Sequence, residues 1–501
     1  MAVDQWASIK PYFPTTAPIG VVGDDASRLM AYDCYENFYW NAPESYKIVP
    51  RSEDAQPIYL PSARSIIEAS HRFLAKDWDF LVHPKVGTPD DQALVKGLMQ
   101  SIWKREKMYA KQTSQKRNLL IRGDMMWHIT ADPNKAQGER ISIHVLHPGH
   151  YFPIYDEANP DRIVGCYLVD ETEDPRDATK TVSRRQMYRK TEAGTIESEL
   201  ALYELGKWDD RVKLEDATKV QDVIPLQVLP PQITTIPVYH TANFLNDSIW
   251  GSSELRGIET VMGGVNQAVS DQDLAISLQG LGVYWTNAGP PKDAQGNPAP
   301  FIFGPGEVVE VPRDATFGRV TGVSGALPGI EHMQFMLDNA SEAIGVPDIA
   351  RGKVNVSVAE SGISLALQLA PLLAKNAEKE QELLGVNDHM LYDLVKQWFP
   401  AYEQLAENFP VEVASVVGDP MPQNRADQIA EILTLVTSVP PLITVGMAQA
   451  KLTELGYEFP AGSEDAVFQD AQRLSEARAS ADPYASRYKE ELDETGGTPS
   501  E

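Results

Sequence analysis

The sequence predicts an α+β fold in which helical and β-rich regions are separated along the chain. Three observations support this: helical periodicity within residues 92–120, short β-branched and aromatic runs between 125 and 239, and heptad-spaced apolar residues from Leu255 onward. The 501 residues are 43% hydrophobic and 23% charged, as expected for a folded chain of roughly two to four domains.

The charge balance argues against a protein that grips nucleic acid. Asp and Glu number 71 against 44 Lys and Arg, giving a net charge of −27, whereas phosphate-binding surfaces are basic. The sequence contains no apolar run of about 18 residues that would span a bilayer, so we expect no membrane segment. Two cysteines, Cys34 and Cys166, are too few for a disulfide framework, and we expect both to be reduced and buried.

Residues 62–80 and 92–120 are predicted helices, the second following Pro89-Asp90-Asp91. The second half of the latter is basic and is either a solvated face or a docking surface for an acidic partner. Its cationic residues are Lys104, Arg105, Lys107, Lys111, Lys116, Arg117 and Arg122. Residues 125–239 then read as short strands separated by turns such as Asp132-Pro133-Asn134.

Two helices with apolar seams flank a Gly- and Pro-rich β insertion at 280–328. The first is predicted over 252–279 and the second over 329–344. Their seams repeat at intervals of three and four residues, apart from one interval of seven across Gln272, which requires burial against other helices. The seam positions are Leu255, Ile258, Met262, Val265, Val269 and Ile276, then Ile330, Met333, Leu337, Ala340 and Ile344.

Gly345-Val346-Pro347 ends the second seam helix, and a loop follows to residue 359. A long helix is predicted over 360–398, with a kink at Pro371 because proline removes a backbone hydrogen bond. Further helices are predicted at 424–438 and 444–456. The last stretch, 463–501, is acidic, and we expect its end to be mobile.

No catalytic, metal or cofactor site is legible. The segment from Gly345 to Val354 is a poor P-loop, because six residues separate its glycines and Val354 replaces the magnesium-binding Ser or Thr. We expect His144, His147 and His150 to pack around a turn rather than bind metal. We therefore predict that the protein is not an enzyme and uses no cofactor.

The order of these elements resembles that of portal proteins of tailed bacteriophages, of the siphovirus type. The resemblance covers roughly residues 60–400. It is carried by LLIRGD at 119–124 with Trp127, HPGHYFPIYD at 147–156, the helix–β–helix unit at 252–344, the loop at 346–359 and ISLALQLAPLLAKNAEKEQELL at 363–384.

The resemblance implies a wing at 1–251, stem helices at 252–279 and 329–344, a clip at 280–328, a tunnel loop at 345–359, a kinked helix at 360–398 and a crown at 399–501. About twelve copies would form a ring at one capsid vertex of the virion, by head-to-tail contacts that close. The ring would conduct double-stranded DNA without sequence-specific binding. Its implied partners are the terminase, the head–tail adaptor, the major capsid protein and a scaffolding protein.

The resemblance also implies roles for particular residues. The tunnel loop would contain Pro347, Asp348, Arg351, Gly352 and Lys353, whose cations either touch phosphates or pair with acids on neighbouring loops. An acidic channel wall would keep DNA from binding; its candidates are Glu254, Glu259, Asp271, Asp273, Glu331, Asp338 and Glu342. Ring packing would use Leu255, Ile258, Met262, Val265, Val269, Ile330, Met333, Leu337 and Ile344.

Two other readings stay open at this point. One is a soluble acidic hydrolase that works through paired carboxylates. The other is a different head or minor-capsid assembly protein, such as an adaptor. A ring with a central hole is expected of the portal, and a compact monomer with turnover is expected of the hydrolase.

Overall fold

The computed structural model describes residues 24–51, 56–74, 78–83, 86–156, 158–159, 162–204, 218–244, 249–281, 283–290, 292, 295–298, 313–320, 327–353, 362–406, 409–418, 425–438, 442–454 and 457. The chain divides into two compact units, Met1–Pro420 and Met421–Glu501.

Among the described residues, four α-helices precede the β-rich region: α1 (Asp24–Tyr39), α2 (Ser62–Phe73), α3 (Pro89–Arg105) and α4 (Met108–Arg122). Strand β1 (Trp78–Val82) follows α2, so the predicted helix at 62–80 is too long. The predicted helix at 92–120 is two helices, because Lys107 adopts a left-handed backbone with φ of 51°. Thr88 caps α3, accepting a hydrogen bond from the backbone N–H of Asp91.

Two antiparallel sheets occupy the predicted β-rich region. The smaller contains β2 (Asp124–Ala131), β3 (Ile141–Leu146) and β9 (Val238–Ala242), in the order β3-β2-β9. The larger is a meander of β4 (Tyr151–Tyr155), β5 (Ile163–Asp174), β6 (Asp177–Lys190), β7 (Ile196–Glu204) and β8 (Lys219–Val228). Each strand pairs with the next along the chain, so β4 and β8 form the edges.

A helix–strand–strand–helix unit follows. Its described elements are α5 (Glu259–Leu281), β10 (Val283–Thr286), β11 (Phe317–Val320) and α6 (Leu327–Ile344). Strands β10 and β11 pair antiparallel. Gly264 faces Met336, and Gly329 faces Gln272, so the two helices pack antiparallel. The predicted strand-like run at 301–312 lies outside the described residues.

A short 3-10 helix (Asp348–Arg351) leads to α7 (Gly362–Asp393), which contains Pro371 and continues into a π-helical turn (Leu394–Trp398) and α8 (Phe399–Tyr402). Strand β12 (Val413–Val417) then pairs with β1, with Trp78 opposite Val417. The predicted boundary at 398 is close to the end of α8, while the bend at Pro371 stays a prediction.

The second unit contains α9 (Arg425–Thr437) and α10 (Val445–Glu454). Leu442 donates a backbone hydrogen bond to Leu435 at 3.0 Å, which closes the turn between the two helices. The predicted acidic tail at 463–501 lies outside the described residues.

Candidate functional site at the α5–α6 helix pair

The segment that enters α5 is fixed to the protein interior. The Gly251 N–H donates to Asp124 Oδ1 at 2.9 Å, and the Glu254 N–H donates to the Leu120 carbonyl at 2.9 Å. These contacts hold residues 252–258 outside the helix, and Gly257 has a φ of 94°. Helix α5 therefore begins at Glu259, whereas the sequence predicted a start at residue 252.

Glu254 lies at the centre of a buried ion network. Its carboxylate accepts hydrogen bonds from the ammonium groups of Lys375 and Lys379 on α7, and its side chain has no exposed surface. Lys375 also donates to the carbonyl of Ile344 at the end of α6. The network thus joins the start of α5, the end of α6 and the long helix.

The protonation of this network follows from burial and charge. Burial would raise the pKa of Glu254, but the two lysine charges outweigh it and lower the pKa overall. Burial lowers the pKa of Lys379 to about 8, against the favourable charge of Glu254. Glu254 cannot face a channel, so its sequence-based assignment to the channel wall is wrong.

Glu259 is also an interior residue. Its Oε1 accepts a hydrogen bond from the Tyr35 hydroxyl at 2.7 Å, and its Oε2 accepts one from the Gly257 N–H at 2.8 Å. Both Glu259 and Tyr35 are buried. The assignment of Glu259 to a channel wall is corrected for the same reason, since its carboxylate supports the first turn of α5.

The seam of α5 changes character along the helix. Its first four positions are buried within the chain, so their assignment to ring packing is wrong: Leu255, Ile258, Met262 and Val265. Val269 is half-buried, and Ile276 is 49% exposed. Residues seven apart return to nearly the same helix face. Val269 and Ile276 therefore lie on the same face as the buried seam positions.

The seam of α6 runs in the opposite direction and shows the same gradient. Ala340 and Ile344 are buried, Met333 and Leu337 are half-buried, and Ile330 is 40% exposed. Because α5 and α6 are antiparallel, Ile276 and Ile330 lie toward the same end of the pair. That end leaves large apolar side chains exposed to solvent.

A segment that sequence reasoning left unassigned covers a second face of α5. Val49 and Ile58 donate backbone hydrogen bonds to Gln267 Oε1 at 2.8 Å and Ser270 Oγ at 2.9 Å. Arg51 forms an ion pair with Asp271 at 3.1 Å, which lowers the pKa of Asp271. The polar side chains of α5 at intervals of three and four were the available sequence signal for this packing.

The acidic residues of α6 lie on its outward face. Glu331, Asp338 and Glu342 fall within about 40° of one another on a helical projection. Glu331 and Glu342 are exposed, Asp338 is half-buried, and Asp273 on α5 is exposed. Of the seven acids predicted to face a channel, these four and Asp271 remain at the surface.

The predicted tunnel loop is tied to α6 in its described part. Arg351, with a side chain only 8% exposed, donates to Asp338 Oδ1 at 2.8 Å and also binds Asp348. Lys353 donates to the same Asp338 oxygen at 2.9 Å, and these contacts lower the pKa of Asp338, the Lys353 hydrogen bond having the largest effect.

The roles predicted for the loop cations change accordingly. Both pair with acids of their own chain, and burial keeps Arg351 from contacting phosphate. Pro347 is half-buried, and Gly352 ends the 3-10 helix with a φ of 86°. Residues 354–359 of the predicted loop lie outside the described residues.

Three cations of the basic segment are neutralised within the chain. Arg117 pairs with Glu68 at 2.9 Å, and Lys111 pairs with Glu106 at 2.6 Å. Arg122 pairs with Glu36 and is buried. These three cations form ion pairs that hold α4 to neighbouring elements of the same chain. Their charges are therefore not available to dock an acidic partner.

The described residues show no further chemistry of the kinds considered. No group of three or more His, Cys, Asp or Glu among them is placed to hold a metal ion. His147 Nδ1 accepts from the Gly149 N–H at 3.0 Å and its ring centroid lies 5.1 Å from that of His150, so both pack around the turn as predicted. His144 instead lies within β3, 2.8 Å from the Thr130 hydroxyl. Among the described helices, none combines the length and apolar character that a membrane span needs. Cys34 and Cys166 are buried.

Comparisons with known proteins place the chain in no family. No family model matches it, and no curated protein matches it. Among solved structures, it is similar to a chain from "Neck of native GTA particle computed with C12 symmetry", with 10% sequence identity and a TM-score of 0.41. The alignment covers 80% of this chain and 96% of that one. Similarity at this level identifies neither a family nor a function.

Proposed function

We propose that this protein is the portal subunit of a tailed phage: about twelve copies form a ring at one capsid vertex and conduct double-stranded DNA. The observation that carries the proposal is the gradient along the α5–α6 pair. The base of the pair is anchored in the chain's own core by Leu255, Met262 and Ile344, whereas Ile276 and Ile330 remain exposed near β10 and β11.

This gradient suits a helix pair that a neighbouring copy completes. Exposing large apolar side chains is unfavourable by about 25 cal/mol per Å². A head-to-tail contact between the open ends of adjacent pairs would bury them, and such contacts close into a ring when the rotation permits. The packing seam in the proposal is therefore reduced to its outer positions, Val269, Ile276 and Ile330, with Met333 and Leu337 beside them.

The charge distribution suits passage of DNA rather than binding. Glu331 and Glu342 are exposed on one face of α6, and the two loop cations are neutralised by Asp338 and Asp348. A wall of this kind offers few cations to the DNA phosphates. Few counterions would then be released on contact, so the wall would bind the duplex only weakly. In the proposal this face lines the channel, and the buried acids Glu254 and Glu259 have no part in it.

The remaining roles belong to the same proposal. The β10–β11 pair would form the clip, which meets the terminase and then the head–tail adaptor. The chain would also meet the major capsid protein and a scaffolding protein within the virion. The proposal assigns the protein no catalytic activity and no cofactor.

The test is the mass of the purified full-length chain and of an Ile276→Asp/Ile330→Asp double variant, measured by native mass spectrometry and negative-stain imaging. We expect a ring with a central hole for the wild type and a folded, lower-order species for the variant. Leu94→Asp is the matched control, because Leu94 is equally exposed on α3 and lies outside the pair. A wild-type chain that stays monomeric at micromolar concentration contradicts the proposal.

A further inference from the structure

An extended stretch at residues 47–51, which we call the strap, lies against the middle of α5. It contains neither helix nor strand, and among the described residues its backbone forms no hydrogen bond with another backbone group. Side chains of α5 hold it instead. The contact falls where the α5 seam passes from the buried Val265 to the half-buried Val269, so the strap meets the helix at the start of its outer half, residues 269–277.

One amide side chain of α5 bonds to both polar backbone groups of the same strap residue. The Val49 N–H donates to Gln267 Oε1 at 2.8 Å, and Gln267 Nε2 donates to the Val49 carbonyl at 3.1 Å. The same Nε2 donates to Asp271 Oδ1 at 2.9 Å. Val49 itself is 61% exposed, so hydrogen bonds that water can reach, rather than apolar burial, attach this part of the strap to the helix.

An ion pair fixes the end of the strap. Arg51 Nε and Nη2 donate to the two carboxylate oxygens of Asp271, each at 3.1 Å. This is the bidentate geometry in which arginine and carboxylate groups interact most strongly. The two side chains are nevertheless 58% and 35% exposed, so dissolved salt screens their attraction and the pair is weak.

The chain on the α2 side of the strap is attached to α5 more firmly. The Ile58 N–H donates to Ser270 Oγ at 2.9 Å, and the Leu60 N–H donates to Asn266 Oδ1 at 2.8 Å. Asn266 is buried, and Ile58 and Leu60 are half-buried just before α2 begins. Breaking these bonds would expose interior groups, which makes opening here more costly than at the strap.

The residue before the strap is fixed as well. Tyr46 is buried, and its ring centroid lies 5.2 Å from that of Phe38 and 5.9 Å from that of Tyr59. Tyr46 and Tyr59 lie on opposite sides of the strap along the chain. Their contact therefore holds the two flanks together whether or not the strap lies on α5.

We propose that the strap is a latch that opens while the rest of the chain stays folded, and that the closed latch restrains the outer half of α5. Segments with few buried apolar contacts and with exposed hydrogen bonds open at a fraction of the free energy of global unfolding. The strap has both properties, and its flanks at Tyr46 and Leu60 do not. The inference concerns a single chain and does not depend on the proposed ring.

The restraint on α5 follows from where the latch holds the helix. The first half of α5 is packed into the chain's own core, whereas its seam beyond Val265 is only partly buried. The bonds at Gln267 and Asp271 therefore contribute a larger share of what holds the outer half. When they break, the helix loses contacts at its middle, and its outer turns should open more often.

Ionic strength is expected to control the latch. The screening length falls from about 10 Å at about 0.1 M salt to about 3 Å at about 1 M. The exposed pair of Arg51 and Asp271 weakens accordingly, whereas the neutral hydrogen bonds between Gln267 and Val49 do not depend on charge screening. Salt should thus favour the open latch without unfolding the protein.

Hydrogen–deuterium exchange of the full-length chain, resolved to single amides by mass spectrometry, tests the latch. Below the unfolding transition, the Val49 amide should exchange at a rate nearly independent of urea, because local opening exposes little surface. The Leu60 amide should exchange faster as urea is added. Raising NaCl from about 0.05 M to about 1 M should speed exchange at Val49 about threefold.

Two variants and one matched control complete the test. Arg51→Gln leaves the sequence of α5 unchanged; it should speed exchange at Val49 about threefold, remove the salt effect, and speed exchange of amides 272–277 about twofold. Gln267→Leu removes both hydrogen bonds to Val49 and should speed its exchange about tenfold. Lys47→Gln removes the same charge from an exposed residue of the strap and should change none of these rates.

Each contrary result has a definite meaning. A Val49 amide that exchanges only with global unfolding, or that is unprotected in the wild type at low salt, overturns the latch. Equal rates in Arg51→Gln and Lys47→Gln do the same. Faster exchange at Val49 with unchanged exchange at 272–277 overturns the restraint on α5. The ring proposal is untouched by all of these results, since it is tested by the mass of the assembly.

Discussion

The carboxylate of Glu254 accepts a hydrogen bond from the ammonium of Lys379 in the protein interior, where the two side chains are 0% and 2% exposed. The pair connects the segment before α5 with the middle of α7. Lys375 completes the network by reaching the last carbonyl of α6. The helix pair is thereby held to the long helix by charge.

Glu254→Gln should lower the free energy of unfolding by about 3–5 kcal/mol, because the buried Lys379 and the half-buried Lys375 lose their counter-charge. Urea unfolding followed by circular dichroism measures the change. Glu331→Gln is the control and should alter stability by less than about 0.5 kcal/mol, since Glu331 is exposed. Equal effects of the two substitutions would contradict the proposed importance of the buried network.

Leu255→Ala should destabilise folding by about 2–5 kcal/mol, because Leu255 has no exposed surface and its truncation leaves a cavity. Ile276→Ala should cost less than about 1 kcal/mol in the isolated chain, because half of that side chain is already in water. Chemical unfolding of both variants at low protein concentration makes the comparison. A large loss at Ile276 under these conditions would show that the outer seam is already buried within one chain.

Gly251→Ala should unfold the protein or lower its stability by more than about 4 kcal/mol. A Cβ at this position would lie 2.0 Å from the Gly123 carbonyl oxygen and 2.5 Å from the Asn243 nitrogen, both of them backbone atoms. Gly97→Ala is the matched control. Gly97 is exposed on α3 and nothing lies within 4 Å of its added Cβ, so the substitution should stabilise by about 0.5–1 kcal/mol. Thermal unfolding of both variants tests the pair.

The protein should lose stability in acid through His128. The folded-state pKa is lowered to about 3, so only the unfolded chain takes up a proton as the pH falls below about 6.5. Stability from this group is complete above that pH and is lost toward pH 3. At pH 5 the loss is about 2 kcal/mol.

His128→Gln isolates this contribution, because glutamine can bond to Tyr188 without titrating. Urea midpoints of the wild type and the variant, measured at pH 7.5 and pH 5, give the difference. The stability of the variant should fall less between the two pH values. Parallel pH dependence in the two proteins would mean that His128 is not buried in its neutral form.

Arg351→Gln should release the 3-10 helix from α6, because one guanidinium holds both Asp338 and Asp348. We expect backbone amides of residues 349–353 to exchange with deuterium at least tenfold faster. The cost to global stability should be only about 1 kcal/mol, since both carboxylates are half exposed. Lys353→Gln is the control and should have a smaller effect, and an unchanged exchange rate in Arg351→Gln would contradict the tether.

Much of the element order is visible in the sequence because it depends on local periodicity. The seam helices, the strands between 125 and 239 and the long helix through Pro371 all have strong local patterns. Strand β1 was missed because its pairing partner is β12, at 413–417. A five-residue run beside a helix contains no sign of such a distant neighbour.

The candidate site was less accessible to sequence reasoning for a related reason. A carboxylate on a predicted amphipathic helix has the same local pattern whether it faces water or a buried lysine. Glu254 meets Lys375 and Lys379 only after α7 folds back on the start of α5, and Arg351 meets Asp338 only after the turn at Gly345. Heptad spacing identified the seam but not the point at which its burial within the chain ends.

The pairing of Trp78 with Val417 determines when the β1–β12 sheet can form during synthesis. A growing chain on the ribosome has made β1 long before β12 exists, so this two-stranded sheet stays open until the first unit is nearly complete. Contacts between such distant segments form slowly, because a long loop must close first. A product truncated before residue 413 would leave the edge of β1 without its partner strand, which marks it for proteolysis or aggregation.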